Sequence, residues 1–411
     1  MFDIWMVTRH WHRAKDLQTG SRSMNVTVAS LKVPFFRVEL DEEEIQSVIN
    51  VLRSGWLTTG SEALQFEQEF AAFVGGGVEA VAVNSNTAGM HLALEALGIG
   101  PGDEVIVPTL TFTATAEVVR YLGADPILVD SSTDDLCIDV DAAARAITAR
   151  TRAIMPVHFG GLPCRMDRIQ ALAASAGIAV IEDAAHAIPC RFADAHVGAR
   201  GSAAAIFSFY ANKTITTGEG GMLVSSDPKL IKRAKVMRLH GIDRDAFQRF
   251  TTTSSQWQYD VVAPGFKYNM TDVAAALGRQ QLRRAERFYE RRHAIARQYD
   301  TAFADLPVLL PPADRPERRH SWHLYALRLE DNAQLSREKF LEYLAAQGIG
   351  FSVHYRPLHR LTYWRERYNL SDSQFPMASR HADTCVSLPL FPAMSKLEVD
   401  RVIQVVRAAL S

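Results

Sequence analysis

A lone amine set just behind a core strand can do chemistry that a surface lysine cannot. In the stretch Ile206 to Met222, IFSFYANKTITTGEGGM, a short apolar run passes Lys213 and enters the glycine-rich turn Thr217-Gly218-Glu219-Gly220-Gly221. Burial disfavours the ammonium form and pushes such a lysine towards its nucleophilic free base. A free amine in a dry cleft can form a Schiff base with an aldehyde cofactor. A loop lysine beside a glycine turn is the plainer reading of these residues, so other parts of the chain must decide.

Three clusters bear on the choice. Ile181-Glu182-Asp183-Ala184-Ala185-His186 ends a buried strand with a carboxylate and an imidazole, and ligands of parallel sheets gather at the carboxyl ends of strands. Asp183 could keep a pyridinium nitrogen protonated, which makes the ring an electron sink, or it could cap a helix. His186 could equally be a satisfied core histidine. Asn84-Ser85-Asn86-Thr87-Ala88-Gly89 sets amides and hydroxyls at a helix N-terminus, where free N–H groups and the helix dipole suit a phosphate; plain capping is the alternative. Ser208 could add a hydroxyl to the same phosphate. Phe112, after Pro108-Thr109-Leu110-Thr111, could lie flat on an aromatic ring or fill the core. Two other motif readings fail. Lys213 precedes its glycines, unlike the lysine of a nucleotide P-loop, and Val157-His158 and Val353-His354 lack the local spacing of metal-ligand pairs.

Positioning these groups needs a scaffold, and the pattern supplies one. Glu79–Val83, Glu104–Val107, Pro126–Val129, Ala153–Val157 and Ile178–Ile181 are short apolar runs separated by helical spacing, such as Asn86 to Leu97 and Met166 to Ala176. Strands alternating with helices predict an α/β fold with a mostly parallel sheet covered on both faces. Two helices precede it, one behind the acids Asp41 to Glu44 and one over Leu64 to Val74. Near Leu282 the character changes: Arg283 to Tyr299 reads as a charged, solvated connecting helix. Beyond it, Trp322 to Leu329 and Gly350 to His354 read as strands, and Arg337 to Gln347 and Leu397 to Leu410 as helices. The expected organisation is an arm over residues 1–32, a large domain over 33–282 and a small α+β domain over 283–411.

With 411 residues, 47% of them hydrophobic, the chain suits two domains with a sizeable core. Its 45 basic and 46 acidic residues leave a net charge of -1, which argues against nucleic-acid or membrane-surface binding by bulk electrostatics. Four scattered cysteines without a CxxC pair fit a reducing cytoplasm. No apolar run approaches the ~18 residues of a membrane span. Met24 lies within the arm, and translation could begin there.

From Val33 onward the chain resembles the DegT/DnrJ/EryC1/StrS family of pyridoxal-phosphate-dependent sugar aminotransferases. The resemblance is carried by GWLTTG (55–60), NSNTAGMHLAL (84–94), PTLTFTATA (108–116), PVHFGG (156–161), IEDAAHA (181–187), SFYANKTITTGEGGM (208–222) and GFKYNMTDVAAA (265–276). It implies the type I, aspartate-aminotransferase-like fold and a homodimer with active sites shared at its interface. It also implies roles: Lys213 as the Schiff-base lysine and proton carrier, Asp183 as partner of the pyridine nitrogen, and His186 as neighbour of the ring hydroxyl. Asn86, Thr87 and Ser208 match phosphate contacts, Phe112 the stacking residue, and Asn269 a residue reaching the phosphate from the partner subunit. No metal is implied. Relatives that deoxygenate sugars carry histidine where this chain has Lys213, so amine transfer is expected, with glutamate as donor. Segments 319–325, 354–359 and 387–392, with GWLTTG, are most similar to 4-keto-sugar enzymes of the UDP-4-amino-4-deoxy-L-arabinose type. Ser61, Phe112 and the long arm depart from that type. A 3-keto-sugar aminotransferase and a non-catalytic cofactor-binding regulator are the competing expectations, and His354 and Arg356 could contact substrate or serve the fold.

Overall fold

The computed structural model describes residues 31–243 and 259–411; of the expected arm, all but residues 31 and 32 lie outside the described residues, Met24 included. The described chain opens with α1 (Glu42–Ser54), whose N-cap Asp41 accepts from Glu43 and Glu44 N–H while Glu44 reaches back to the cap. This closes a capping box with acids at the favourable helix end. Helix α2 (Ser61–Val74) starts differently, because Gly60 has no side chain to cap it. The Asp272 carboxylate does so from far along the chain, accepting from the N–H groups of Gly60 at 2.7 Å and Ala63 at 3.0 Å. That contact joins the GWLTTG and GFKYNMTD segments.

The central sheet holds β1 (Glu79–Val83), β2 (Glu104–Pro108), β3 (Asp125–Val129), β4 (Thr151–Ile154) and β5 (Ala179–Asp183). After a short hairpin, β6 (Arg191–Phe192) and β7 (Ala195–His196), come β8 (Ala204–Ser208) and β9 (Gly221–Ser225). The order in the seven-stranded sheet is β1-β9-β8-β5-β4-β2-β3. Every pairing among β8, β5, β4, β2 and β3 is parallel, and β9 alone runs against its neighbours. Side chains alternate across the pleat. On β1, Val81 and Val83 enter one core with α3 (Asn86–Ala96) and α4 (Ala114–Tyr121), whereas Ala80 and Ala82 enter another with Phe66 and Phe70 of α2. Strand β8 divides likewise, Ile206 to the first core and Phe207 to the second. Apolar demand on both faces is why these strands read as continuous apolar runs.

Past residue 282, a second sheet pairs Tyr325–Leu329 with Val308–Leu309 and Cys385–Leu388, all antiparallel. It packs with Ile295, Tyr299 and Phe303 and with the helix Lys396–Leu410. Several expectations need correction. The helix read as solvated spans Ala285–Phe303 and buries Phe288, Arg292, Ile295 and Tyr299, with Arg292 donating to three backbone carbonyls. The strand expected from Trp322 begins only at Tyr325, because Trp322 sits at a left-handed φ of 54°. Gly350–His354 forms no strand and contributes the single bridge Ser352–Ser387. The run expected at Ala153–Val157 is paired earlier, over β4. Leu358 and Trp364 pack into the large sheet's first core. Among the described residues no helix is long and apolar enough to cross a membrane.

Candidate active site

A cavity of about 470 Å³ opens where β5 and β8 end, and Asn86, Thr87, Phe112, Asp183, His186, Ser208 and Lys213 all line it. Asn269 does not. It borders a separate cavity of about 340 Å³ and donates from Nδ2 to Thr59 Oγ1 at 2.7 Å.

Strand β5 delivers Asp183, which is buried. Its Oδ2 accepts from Thr115 Oγ1 at 2.8 Å, and its Oδ1 from Asn86 Nδ2 at 3.2 Å and Ala185 N–H at 3.1 Å. Three donors from three elements therefore fix one carboxylate. Thr115 is itself held by Thr111 Oγ1 at 2.7 Å. Below, the neighbouring Glu182 accepts from the fully buried His158 at 2.9 Å, and His158 in turn takes the Cys164 N–H on Nδ1 at 3.0 Å. The strand end is thus pinned on both faces.

Helix α3 begins beside this carboxylate, with Ser85 Oγ accepting from Ala88 N–H as N-cap. Strand β9 presses on that turn: a Cβ on Gly221 would stand 2.7 Å from the backbone N of Asn86. Glycine is required there by close approach. Gly221 is also the register partner of Ser208, and Ser208 lines the cavity together with Asn86 and Thr87 of the helix's first turn. First-turn N–H groups with a serine alongside form an anion site.

Lys213 follows in a turn closed by its own N–H on Tyr210 O at 2.9 Å. The side chain is half-buried, facing the cavity, and among the described residues its amine has no hydrogen-bond or ion-pair partner. Although part of the residue stays accessible, dense packing around the amine lowers it from 10.5 to about 8; the Asp183 charge opposes the shift without cancelling it. Burial, followed by the Lys213 charge, holds His186 well below the ordinary imidazole range, so its ring is neutral. Phe112 is 60% exposed at the cavity edge, so it is not a core residue.

Sequence reasoning missed Tyr355, whose hydroxyl lies 3.0 Å from His186 Nε2, and His323, whose ring is 4.4 Å from that of His186. Both arrive from beyond residue 282, and no local spacing announces them. Of the two residues given an open role, His354 lines the cavity and bonds Ser387 Oγ at 2.9 Å. Arg356 is exposed and turns to Arg360 O.

The lining fits an aromatic aldehyde carrying a phosphate. Asn86 Oδ1, His186 Nδ1 and Asn212 Oδ1 are buried polar atoms of lining residues that find no partner among the described residues, and such groups call for a ligand or water. The volume lies in the ordinary range for cofactor sites.

Comparison with known proteins agrees with this chemistry. The profile of the DegT/DnrJ/EryC1/StrS aminotransferase family matches residues 38–407. The spore coat polysaccharide biosynthesis protein SpsC of Bacillus subtilis is 44% identical over 377 residues, covering 91% of this chain and 96% of that protein. Spr1654 of Streptococcus pneumoniae, described as a sugar aminotransferase and solved in its PLP form, superposes with a TM-score of 0.85 at 32% identity, covering 93% and 100%. DesV of S. venezuelae, solved with a ketimine intermediate, gives a TM-score of 0.82 at 34% identity, covering 92% and 98%. The chain belongs to the DegT/DnrJ/EryC1/StrS aminotransferase family, and its cofactor is pyridoxal 5'-phosphate (PLP).

Proposed function

We propose that this protein moves an amino group from glutamate to the 4-keto group of a nucleotide-diphosphate sugar. The observation that carries the reading is one cavity holding an amine lowered to about 8, a carboxylate fixed by three donors, and a helix N-terminus flanked by Ser208. When bound, PLP supplies an electron-accepting ring and an aldehyde carbon. Lys213 would hold the aldehyde carbon, give way to the donor amine, and then carry a proton at Nζ between the two carbons. Such general acid–base help is worth ~100- to 10,000-fold. Asp183 would face the pyridine nitrogen, His186 the ring hydroxyl, and Phe112 the ring face. Asn86, Thr87 and Ser208 would hold the phosphate.

Asn269 stands outside its own chain's cavity, which is what a contact given to a neighbouring subunit requires, and we read the enzyme as a homodimer with shared sites. We place it in the cytoplasm and divide the chain near residue 282 into a cofactor domain and a small domain. The 4-keto position rests on the similarity of residues 55–60, 319–325, 354–359 and 387–392 to enzymes of the UDP-4-amino-4-deoxy-L-arabinose type. The test incubates PLP-loaded protein and glutamate with UDP- and dTDP-linked 3-keto and 4-keto sugars and locates the new amine by NMR. Amination at C4 is expected. Amination at C3 would replace the reading with its runner-up, and no half-reaction with glutamate or with any other amine donor tried in its place would point to a non-catalytic PLP-binding regulator.

A further inference from the structure

The hydrogen bond between Tyr355 and His186 takes no part in the amino transfer proposed for this site. Tyr355 enters the cavity from the segment after residue 282, while His186 comes from the loop after β5, so the contact joins distant parts of the chain. Its hydroxyl has one partner among the described residues, His186 Nε2 at 3.0 Å. Among the described residues the other ring nitrogen of His186, Nδ1, is buried without a partner. Ser321 Oγ donates to the His186 carbonyl at 2.6 Å, and the His323 ring packs at 4.4 Å.

Two arrangements of protons are available to a neutral imidazole facing a neutral phenol. If Nε2 carried the proton and donated to the phenol oxygen, the phenol hydrogen would lack an acceptor and bare Nδ1 would lack a donor. If the phenol donates to Nε2, the imidazole proton sits on Nδ1 without an acceptor and the phenol oxygen lacks a donor. Each arrangement leaves one donor and one acceptor unpaired, so the choice falls to the shared bond itself. A phenol O–H is a stronger donor than an imidazole N–H, and an imidazole nitrogen a stronger acceptor than a phenol oxygen, so the second arrangement is favoured. Both groups are held neutral: burial lowers His186, and burial followed by the Asp183 charge raises the Tyr355 phenol.

We infer that Tyr355 is a positioning residue that fixes the tautomer of His186, donating to Nε2 so that Nδ1–H is the imidazole's one free donor beside the cavity. The tautomer of a histidine is set by the partner of its other nitrogen. An Nδ1–H donor would be ready for an anionic oxygen on a bound ring without reorganising; this consequence rests on the proposed reading of His186 as neighbour of the PLP hydroxyl. The phenol itself would act through the imidazole rather than on the reacting atoms.

The test is nitrogen NMR of the full chain labelled with 15N-histidine and prepared without cofactor, with the His186 signals assigned by their loss in His186→Asn. Wild-type protein should show a protonated Nδ1 and a bare, hydrogen-bonded Nε2. Tyr355→Phe keeps the ring and removes the donor, and a measurable share of the proton should move to Nε2. A protonated Nε2 in wild type overturns the inference without reference to any variant, and so does an unchanged pattern in a folded Tyr355→Phe. In PLP-loaded protein, Tyr355→Phe should also shift the cofactor's visible band. A changed nitrogen pattern with an unchanged band supports the tautomer assignment and overturns the reading of His186 as the cofactor's neighbour.

Discussion

Lys213 should titrate far from an ordinary lysine, and the consequence can be worked out. With the amine at about 8, the free-base fraction at pH 7 is 1/(1 + 10^(8−7)), about 9%. At the ordinary 10.5 it is 1/(1 + 10^3.5), about 0.03%, so the fold raises the nucleophilic fraction roughly 300-fold. Trace acetylation of cofactor-free protein with acetic anhydride, read by mass spectrometry against an internal standard amine, reports that fraction across pH 6 to 11. The Lys213 profile should rise with a midpoint near 8. Asp183→Asn removes the one charge that opposes the shift, so the midpoint should fall further in that variant. A midpoint at or above 10 would refute the claim that packing around the cavity activates the amine. A midpoint that rises in Asp183→Asn would refute the sign assigned to the carboxylate. The shift also has a stability side: the folded state holds fewer protons than the unfolded chain between about 8 and 10.5, so this group's contribution improves as pH rises through that window.

Three structural predictions accompany it. Asp272→Ala uncaps α2, taking the acceptor from Gly60 and Ala63 N–H, and should lower stability in urea by about 1–2 kcal/mol; a change below a few tenths would mean the cap contributes nothing. Gly221→Ala drives a methyl to 2.7 Å from Asn86 N. It should cost about 1–3 kcal/mol and weaken PLP affinity by displacing the first turn of α3, and unaltered affinity by equilibrium dialysis would contradict the placement of the phosphate there. Asp135→Ala takes the close carboxylate from Arg318, which is 1% exposed and bonded to Asp135 Oδ2 at 2.5 Å, and leaves it the Pro163 carbonyl at 3.3 Å and Glu317 at 3.9 Å. Leaving that buried charge without its short-range partner should cost about 3–5 kcal/mol, and a loss under 1 kcal/mol in denaturant titration would show that the Asp135 pair is not needed.

The sequence is most legible where one short segment carries its own instructions. Glu79–Val83 and Met166–Ala176 stand where apolar spacing alone places them, because a two-faced strand and an amphipathic helix declare their burial residue by residue. Asp183 and Asn86 are readable as strand end and helix start, but their mutual hydrogen bond is not, since 97 residues separate them. Strand β9 is hidden behind Gly220-Gly221, which read as the end of a turn; the Gly221 position is a strand that must pass close to α3 rather than a bend. The charged helix before Phe303 misleads because Arg292 is an arginine in a core position, its Nη1 donating to carbonyls of three distant residues. Tyr355 and His323 belong to the same class of failure: their meaning depends on which loops the fold brings together, and nothing local encodes that.

The covalent identity of the reactive amine is the most direct point of attack. PLP-loaded protein, reduced with borohydride and digested, should yield one pyridoxyl-bearing peptide, modified at Lys213, with the label absent from Lys213→Ala. Label on a different lysine, or retained in full after that substitution, would contradict the assignment.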